Sequence, residues 1–259
     1  MSEILCRQQL WPESLSAYVL TLPTPAENLA LDEALLDMVE ADPLAATLRF
    51  WEPQDYFVVL GRSNRAETEV NLGFCQSEGI PILRRASGGG TVLVGPGCLC
   101  YTLALPLTDV HRPLGVSQVT SRLMERTAAG LRAVLPEITV CGTSDLVWRD
   151  RKFSGNAQRW LRQSLIHHGT LLYDFDIAML SRSLLPPTRQ PEYRDSRSHF
   201  EFVTNISLGS EAIQKVLRSA WGAKVNECPE TVLEETRRIM KSRDLNQENS
   251  WNLGEYRVS

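Results

Sequence analysis

The chain has 259 residues, of which 43% are hydrophobic and 22% charged, and its formal net charge at pH 7 is −4. It contains no apolar run of about 18–20 residues, the length of a membrane helix, and Met1–Arg7 lacks the basic and apolar regions of a secretory signal. We therefore expect a cytoplasmic protein without a membrane partner, and the acidic balance argues against nucleic-acid binding.

The first third of the chain predicts helices and short strands in alternation. Glu27–Val39 carries apolar residues at helical spacing with carboxylates on the opposite face, which indicates a helix. Ala66–Glu78 has a helical composition that stops at Gly79. Three short runs predict strands, because they are rich in β-branched and aromatic or other apolar residues: Thr47–Trp51, Tyr56–Leu60 and Ile80–Leu83.

The middle of the chain predicts strands on both sides of one long helix. Thr91–Val94 and Cys98–Leu105 flank the turn 95–97, and the second strand alternates large and small residues, which is typical of a half-buried strand. Ser117–Leu135 carries one apolar stripe and stops at Pro136, so it is predicted to be a helix. Five runs separated by polar turn residues then predict a meander: Ile138–Val140, Leu146–Trp148, Arg151–Phe153, Asn156–Trp160 and Leu165–Leu172.

Two further helices are predicted towards the end of the chain. They are Ser210–Trp221, with Ser210 as its N-cap, and Glu230–Ser242. Strands and helices are mixed without strict alternation, so we expect an α/β (α+β) fold with a mixed, largely antiparallel central sheet flanked by helices. The absence of repeats and of low-complexity linkers favours a single domain.

The glycine triplet in Ser87–Gly90 is the most informative local feature. Glycine lets backbone N–H groups approach a ligand and admits positive φ, so such loops often bind phosphate or carboxylate. A bare tight turn is the alternative interpretation. The Walker pattern fails because Pro96 follows Gly95, and the dinucleotide fingerprint fails because Leu93 breaks its spacing.

Charged and titratable side chains accompany this loop and two later segments. Arg84 and Arg85 precede the loop on a strand, so at most one should face the site, where a guanidinium suits phosphate or carboxylate. Lys152 lies next to a Ser-Gly pair and is either a site cation or a solvated hairpin residue. His167 and His168 lie in an otherwise apolar strand, where a buried, hydrogen-bonded histidine is the alternative to a site residue.

Other chemistries have little support. The six cysteines show no Cys-x-x-Cys spacing and none of the four histidines is spaced against them as zinc ligands require, so no metal site is predicted. A Gly-x-Ser-x-Gly elbow is absent from the sequence, which leaves serine-hydrolase chemistry without support. The basic stretch Ser181–His199, with Arg182, Arg189, Arg194 and Arg197, is expected to be a solvated loop.

Taken in order, these segments resemble the lipoate–protein ligase A family, part of the biotin/lipoyl ligase and octanoyltransferase catalytic-domain superfamily. The resemblance rests on the order and spacing of motifs over nearly the whole chain. The motifs are Asn28-Leu29-Ala30-x-x-Glu33, Val58-Val59-Leu60-Gly61-Arg62, Arg84-Arg85-x-Ser87-Gly88-Gly89-Gly90-Thr91-Val92, Ser144-Asp145-Leu146, Arg151-Lys152-x-Ser154-Gly155-x-Ala157, His167-His168-Gly169-Thr170-Leu171-Leu172 and Trp251-Asn252.

The resemblance implies a two-step ligase. ATP, which brings Mg²⁺, reacts with lipoate or octanoate to give an acyl-adenylate, and the acyl group then passes to a lysine of a lipoyl carrier domain. The implied carriers are the lipoyl domains of 2-oxoacid dehydrogenase complexes or the H protein of glycine cleavage. Lys152 matches the family lysine that contacts both acyl carbonyl and phosphate, where a fixed ammonium can stabilise developing charge.

The resemblance also implies which residues surround Lys152. The nucleotide and acyl-adenylate positions are Arg85, Ser87, Gly88, Gly89, Gly90, Thr91, Val92, Leu93, Asp145 and Lys152. The acyl-pocket positions are Arg84, Ser154, Gly155, His168, Gly169 and Thr170. Apolar strand segments near His168 would line a tunnel for an eight-carbon chain.

The sequence departs from the family in two places. Family members usually carry a histidine where this chain has Val94, so any role of that histidine is absent or moved. The sequence ends soon after Trp251-Asn252, where many bacterial ligases begin a small accessory domain. We therefore expect one catalytic domain over residues 1–259 without a C-terminal accessory domain, which acts with a separate accessory subunit or as a single-domain acyltransferase.

Three other functions compete with the ligase. An octanoyltransferase would take the acyl group from acyl carrier protein through a thioester on Cys141, eleven residues before Lys152, without ATP. Cys141 is otherwise an ordinary packed cysteine, and its spacing to Asp145 fits the ligases better. Biotin ligase is the third possibility, ranked below the octanoyltransferase because the glycine-rich loop differs from the pattern expected of biotin ligases. A non-catalytic cofactor-binding relative is the last, and the retention of Lys152 argues against it.

Overall fold

The structure is a computed structural model that describes residues 10–187 and 190–244. Cys6, Arg189 and Trp251-Asn252, which the sequence singled out, lie outside the described residues. The strands are β1 Leu15–Val19, β2 Thr47–Trp51, β3 Phe57–Leu60, β4 Ile82–Arg84, β5 Val92–Val94, β6 Cys98–Pro106, β7 Ile138–Cys141, β8 Asp145–Trp148, β9 Arg151–Trp160, β10 Ser164–Leu172 and β11 Ala223–Val225. The helices are α1 Pro25–Ala41, α2 Ala66–Glu69, α3 Leu72–Ser77, α4 Gly115–Arg132, α5 Ile177–Ser183, α6 His199–Phe202, α7 Ser210–Trp221 and α8 Glu230–Asp244.

Eight of these strands form the central sheet, in the order β11-β1-β2-β6-β10-β9-β8-β7. β1 runs parallel to β2 and β11, and every other neighbouring pair in this sheet is antiparallel. The three-stranded sheet β4-β3-β5 is separate and also mixed. The predicted fold class, a mixed and largely antiparallel sheet flanked by helices, is therefore confirmed.

The central sheet separates two apolar cores. α1, α8 and the small sheet cover one face, and α4 and α7 cover the other. The two faces meet in β6, where Leu99, Tyr101 and Leu103 point to the α4 side and Cys98 and Cys100 to the α1 side. All nine residues of β6 are buried, so this strand is covered on both faces rather than half-buried as its alternation predicted.

Local sequence chemistry fixes the start of α1, which supplies one wall of the site described below. Thr24 Oγ1 accepts a hydrogen bond from the Glu27 N–H, and the Glu27 carboxylate accepts one from the Thr24 N–H, which forms a capping box. Pro25 occupies the first turn, where no N–H donor is needed. The helix therefore begins two residues before the predicted Glu27.

Beyond shifts of one to three residues at the ends of other elements, two predicted stretches are divided differently in the structure. The predicted helix Ala66–Glu78 is two short helices, because Val70 forms a β-bridge with Leu184 and the side chain of Asn71 caps α3. The predicted strands on either side of Ser154-Gly155 are one continuous strand, β9, with a register shift against β8 between Leu146 and Val147.

One predicted cap differs from the structure, whereas the predicted turn 95–97 lies between two strands as expected. Gly209, not Ser210, is the N-cap of α7, and the Ser210 hydroxyl donates to the Glu52 carboxylate. The strands β5 and β6 do not pair with each other but belong to different sheets. Gly97 between them has a φ of +78° and packs against the carbonyl of Asp174, which leaves no space for a side chain.

Within the described residues, no helix combines the length and the apolar content that crossing a bilayer requires.

Candidate functional site

A cavity of about 570 Å³ lies where the glycine-rich loop, α1 and the strands β8, β9 and β10 meet. The predicted site residues that line it are Arg85, Gly88, Gly89, Gly90, Thr91, Val92, Asp145, Lys152, Gly155, His168, Gly169 and Thr170. Four others are not in its wall: Arg84, Ser87, Leu93 and Ser154. Most of the predicted site is therefore brought together around one space.

Arg85 determines the shape of the glycine-rich loop. Its buried guanidinium donates hydrogen bonds to the carbonyls of Gly88 (2.6 Å) and Gly90 (2.8 Å). Burial lowers the pKa of Arg85 to about 10, so it stays charged at neutral pH. In a trans peptide the N–H points away from the preceding carbonyl, so the N–H of Gly89 points away from Arg85.

The loop presents unpaired backbone donors as a result. Among the described residues, no acceptor meets the N–H groups of Gly88, Gly89 or Gly90. Gly89 has a φ of +88°, and a Cβ there would lie 2.9 Å from Arg85 Nη2 and 3.3 Å from Ala157 Cβ. Three consecutive free N–H groups beside a buried cation are an arrangement that binds anions.

Arg84 has a different role from Arg85. Its Nη1 donates to the carbonyls of Gly61 (2.9 Å) and Asn64 (2.7 Å), which follow β3, so Arg84 holds that turn and does not line the cavity. The expectation that at most one of the two arginines faces the site agrees with this placement.

Lys152 extends over Gly155 towards Asp145. Its Nζ lies 2.8 Å from Asp145 Oδ1, and a Cβ at position 155 would lie 3.0 Å from the same Nζ. Glycine at 155 thus leaves the space that the lysine side chain crosses. The Asp145 Oδ2 atom accepts a 2.7 Å hydrogen bond from the Tyr193 hydroxyl, so both carboxylate oxygens are engaged.

His168 links the glycine-rich loop to α1. Its Nε2 lies 2.6 Å from Ser87 Oγ, and its Nδ1 lies 3.2 Å from Asp32 Oδ2. Because Ser87 Oγ accepts a hydrogen bond from Arg85 Nε, its own proton goes to His168 Nε2, and we assign the ring proton to Nδ1. In this assignment the Nδ1–H of His168 donates to Asp32 Oδ2.

Asp32 is buried with a cationic partner on its other side. Arg49 Nη1 lies 2.7 Å from Asp32 Oδ1, and the Arg49 side chain is fully buried. Burial alone would raise the pKa of Asp32, but the hydrogen bond with His168 and the charge of Arg49 lower it overall. Asp32 is therefore a fixed negative charge behind His168.

A profile of the lipoyl protein ligase A/B catalytic domain matches residues 24–217, which is more than half of the chain and includes every residue of the cavity wall. The chain belongs to this family. The resemblance that the motifs indicated is thereby confirmed.

Curated relatives of the family are similar over part of their length. A probable lipoate-protein ligase A of Mycoplasma genitalium is 32% identical over 176 residues, 66% of this chain and 50% of the relative. Its counterpart in Mycoplasma pneumoniae is 30% identical over 203 residues, 78% of this chain and 54% of the relative. The chain thus spans about half the length of the curated relatives it matches.

Solved structures of ligases share the fold. Protein Ta0514 of T. acidophilum with bound lipoic acid has a TM-score of 0.78 and 21% identity, covering 93% of this chain and 100% of that one. A lipoate-protein ligase A bound with ATP has a TM-score of 0.78 and 20% identity, covering 92% and 98%. A bipartite lipoate protein ligase of Thermoplasma acidophilum, described with its E2 lipoyl domain, has a TM-score of 0.77 and 22% identity, covering 95% and 99%.

Sequence reasoning missed several residues of the cavity wall in this family member. Asn156 is one of them: its Nδ2 donates to the Ser144 carbonyl (2.7 Å), and its Oδ1 accepts from the Tyr101 hydroxyl (2.5 Å). The Asn156 side chain lies over Gly169, where a Cβ would collide with it. Period-2 alternation along β9 was the available signal, because it places Asn156 and Ser154 on one face of the strand.

Two residues singled out from the sequence have defined places. Val94, which stands where the family usually has a histidine, is buried and lines the cavity. Cys141 ends β7 outside the cavity wall, and its Sγ lies 3.7 Å from Thr139 Oγ1. Within the described ranges, no three His, Cys, Asp or Glu side chains group closely enough to hold a metal ion.

His167 lies on the opposite face of β10 from His168. It is fully buried, with Nε2 3.3 Å from the Tyr101 hydroxyl and Nδ1 3.0 Å from Gln158 Nε2. Burial, with a smaller contribution from the charge of His168, lowers the pKa of His167 to about 3. The buried-histidine interpretation therefore describes His167, whereas His168 reaches the cavity.

This burial predicts how stability changes with pH. Below about pH 6.5 the unfolded chain binds a proton at His167, whereas His167 of the folded chain stays neutral. The free energy of unfolding therefore falls, as the pH is lowered, by up to about 1.4 kcal/mol per pH unit. The variant His167→Gln has no imidazole at this position. Between pH 7.5 and 5, its free energy of unfolding should therefore decrease by about 2 kcal/mol less than that of wild type. Urea unfolding of both proteins measures the difference, and parallel pH curves would contradict it.

Proposed function

We propose that this protein is a lipoate–protein ligase, which activates lipoate or octanoate with ATP as an acyl-adenylate and transfers the acyl group to a lysine of a lipoyl carrier domain. The observation that carries the proposal is the wall of one cavity. This wall includes Gly88, Gly89 and Gly90, whose N–H groups meet no acceptor among the described residues, together with the buried cation Arg85 and the ammonium of Lys152. These groups suit an anionic, phosphate-containing ligand.

The chemistry of both steps places negative charge where these groups lie. In the first step a carboxylate oxygen of the acid attacks the α-phosphorus of ATP, and the bond to pyrophosphate breaks. In the second step the neutral carrier amine attacks the acyl carbonyl carbon, AMP leaves and the amine loses its proton. Lys152 can stabilise charge on phosphate and then on the carbonyl oxygen without giving up a proton. Mg²⁺ would enter with the phosphates of ATP.

The remainder of the cavity suits the acyl chain. Four apolar side chains form part of its wall: Leu29, Trp51, Val59 and Val94. The names of the Mycoplasma relatives and the lipoic acid and ATP bound to structures of the same fold support the choice of substrates. The carrier, a lipoyl domain of a 2-oxoacid dehydrogenase complex or the glycine-cleavage H protein, is part of the proposal.

The octanoyltransferase remains the second candidate, and the position of its cysteine disfavours it. A thioester on Cys141 would form outside the cavity wall, where the Cys141 sulfur lies 3.7 Å from the Thr139 hydroxyl. A nucleophilic cysteine needs a base or a nearby cation to become a thiolate. The ligase needs no thiol.

One incubation series tests the two enzymes against each other. Free lipoate or octanoate with ATP forms one arm, octanoyl acyl carrier protein without ATP forms the other, and both contain an apo lipoyl domain. We expect pyrophosphate release and acylation in the ATP arm, with Cys141→Ser as active as wild type. Transfer only in the ATP-free arm, abolished by Cys141→Ser, would establish the transferase instead.

The same series distinguishes the remaining alternatives. An acyl-adenylate that forms but is not transferred is the result expected if a separate accessory subunit completes the enzyme. A non-catalytic cofactor-binding protein should give neither pyrophosphate release nor acylation in either arm, although calorimetry should still detect binding of ATP and lipoate.

A further inference from the structure

Within the stretch expected to be a solvated loop, Arg194 and Arg197 are instead packed in a turn beside the cavity, whereas Arg182 is exposed as expected. Arg194 is only 6% exposed, and the guanidinium carbons of Arg194 and Arg197 lie 4.9 and 5.3 Å from the ring centre of Phe202. Arg197 also donates to the Tyr193 carbonyl (2.8 Å) and to the Asp150 carbonyl (2.9 Å). These contacts fix the short turn that carries Tyr193 against the loops next to β8 and β9.

Tyr193 reaches from this turn to the Lys152–Asp145 pair. Its ring packs against Phe202 at a centroid distance of 5.2 Å, and a Cβ at Gly142 would lie 3.3 Å from its Cε1. Its hydroxyl donates to Asp145 Oδ2 at 2.7 Å, while Asp145 Oδ1 lies 2.8 Å from Lys152 Nζ. Burial and the charge of Asp145 raise the pKa of Tyr193, so the phenol remains a hydrogen-bond donor.

Other titratable groups near the pair leave Asp145 as the counter-ion of Lys152. His199 of α6 is neutral at pH 7, because burial and the charges of Arg194 and Lys152 lower its pKa to about 4. Cys141 of β7 lies close enough to Tyr193 to act on its charge. Arg197, a second nearby cation besides Arg194, is engaged with Asp150 and with backbone carbonyls.

A lysine in a site that forms an acyl-adenylate faces a chemical hazard. A neutral Nζ would attack the acyl carbonyl carbon, an amide N–C bond would form, the C–O bond to phosphate would break, and AMP would leave with the electron pair. The new amide would lose its extra proton and with it the cation of the site. An ammonium has no lone pair for this attack, so the lysine must stay protonated.

We propose that Tyr193 is a positioning residue: it fixes Asp145 against Lys152, and this ion pair holds the Lys152 amine in place in the cavity so that it does not become an acyl acceptor. The identity of the acyl donor rests on the proposed function, whereas the positioning itself rests on the contacts above. Tyr193 touches Asp145 and not the reacting atoms, and it lies outside every motif of the sequence.

Competitive acetylation tests the proposal without any ligase activity. Acetic anhydride acylates neutral amines, and peptide mass spectrometry compares Lys152 with the exposed Lys215, Lys224 and Lys241 of the same molecule. In Tyr193→Phe, which keeps the ring, we expect Lys152 to be acetylated about three- to tenfold faster relative to these lysines, the effect of losing one hydrogen bond. Circular dichroism and urea unfolding confirm that the variant is folded.

A double-mutant cycle shows whether Tyr193 acts through Asp145. Asp145→Asn should increase the acetylation of Lys152 at least about tenfold, as for the loss of a charge-assisted contact, and adding Tyr193→Phe should change nothing further. Tyr173→Phe is the matched control, because the Tyr173 hydroxyl donates to Glu52 and Tyr173 is not in the cavity wall. Unchanged labelling in Tyr193→Phe, or an equal further increase in the double variant, overturns the proposal.

Incubation with acid and ATP but no carrier connects the proposal to catalysis. Wild type should keep Lys152 unmodified, whereas Tyr193→Phe should acquire an acyl amide at Lys152. If wild type forms no acyl-adenylate but the acetylation pattern is as expected, the proposed ligase function is refuted and the positioning role of Tyr193 stands. An active wild type with an unaltered acetylation pattern in Tyr193→Phe refutes the positioning role alone.

Discussion

Lys152→Ala is expected to remove most acyl transfer and to leave the fold intact. The ammonium is partly exposed in the cavity and its ion pair is with Asp145, so its loss empties no apolar core. If Lys152 meets charge that develops in the transition state, the rate should fall about 10²–10³-fold, as for the loss of one oxyanion-type donor. Steady-state transfer to an apo lipoyl domain measures the effect.

Lys215→Ala is the matched control for this variant, because Lys215 is an exposed residue of α7 and does not line the cavity. It should keep the rate of wild type. A Lys152→Ala protein with at least half of the wild-type rate would show that the lysine is not the cation on which the chemistry depends.

Gly89→Val should weaken ligand binding through the backbone. Valine disfavours the φ of +88° at this position, and its Cβ would press on Arg85 Nη2 at 2.9 Å and on Ala157 at 3.3 Å. Displacement of Arg85 would release the carbonyls of Gly88 and Gly90 that turn the loop. We expect affinity for a non-hydrolysable acyl-adenylate analogue to fall about ten- to a hundredfold, the equivalent of 1–3 kcal/mol of strain.

Gly88→Ala provides the comparison for calorimetric titration of both variants. A Cβ at Gly88 meets no atom within 4 Å, and its φ is not in the left-handed region. It should therefore bind the analogue nearly as well as wild type. Equal, wild-type affinity in Gly89→Val would mean that the loop is a bare turn and not an anion cradle.

The sequence predicted some elements to the residue, from composition or from periodicity. The strand Thr47–Trp51 and the helix Ser210–Trp221 have the predicted bounds. Ser154-Gly155 misled the prediction, because a Ser-Gly pair is typical of a turn. In the structure it continues β9, and Gly155 is required by the path of the Lys152 side chain, which no local pattern reveals.

Site residues within contiguous motifs were predictable, and their partners were not. The glycine-rich loop and Lys152 were found by residue type and order. Asp32 meets His168 across 136 residues of sequence, and Tyr193 meets Asp145 across 48. Such pairs arise from sheet register and from the packing of α1 and of the turn before α6, so they require the folded chain.

The free N–H groups of Gly88, Gly89 and Gly90 have a consequence for how variants of this protein are interpreted. A backbone donor persists through every side-chain replacement except proline. Systematic alanine replacement would thus measure only whether each position has space for a methyl group. Gly88 and Gly90 have that space, and Gly89 does not. The loop that we propose to bind phosphate would therefore be nearly invisible to that experiment, and replacement of single amides by esters would reveal its contribution.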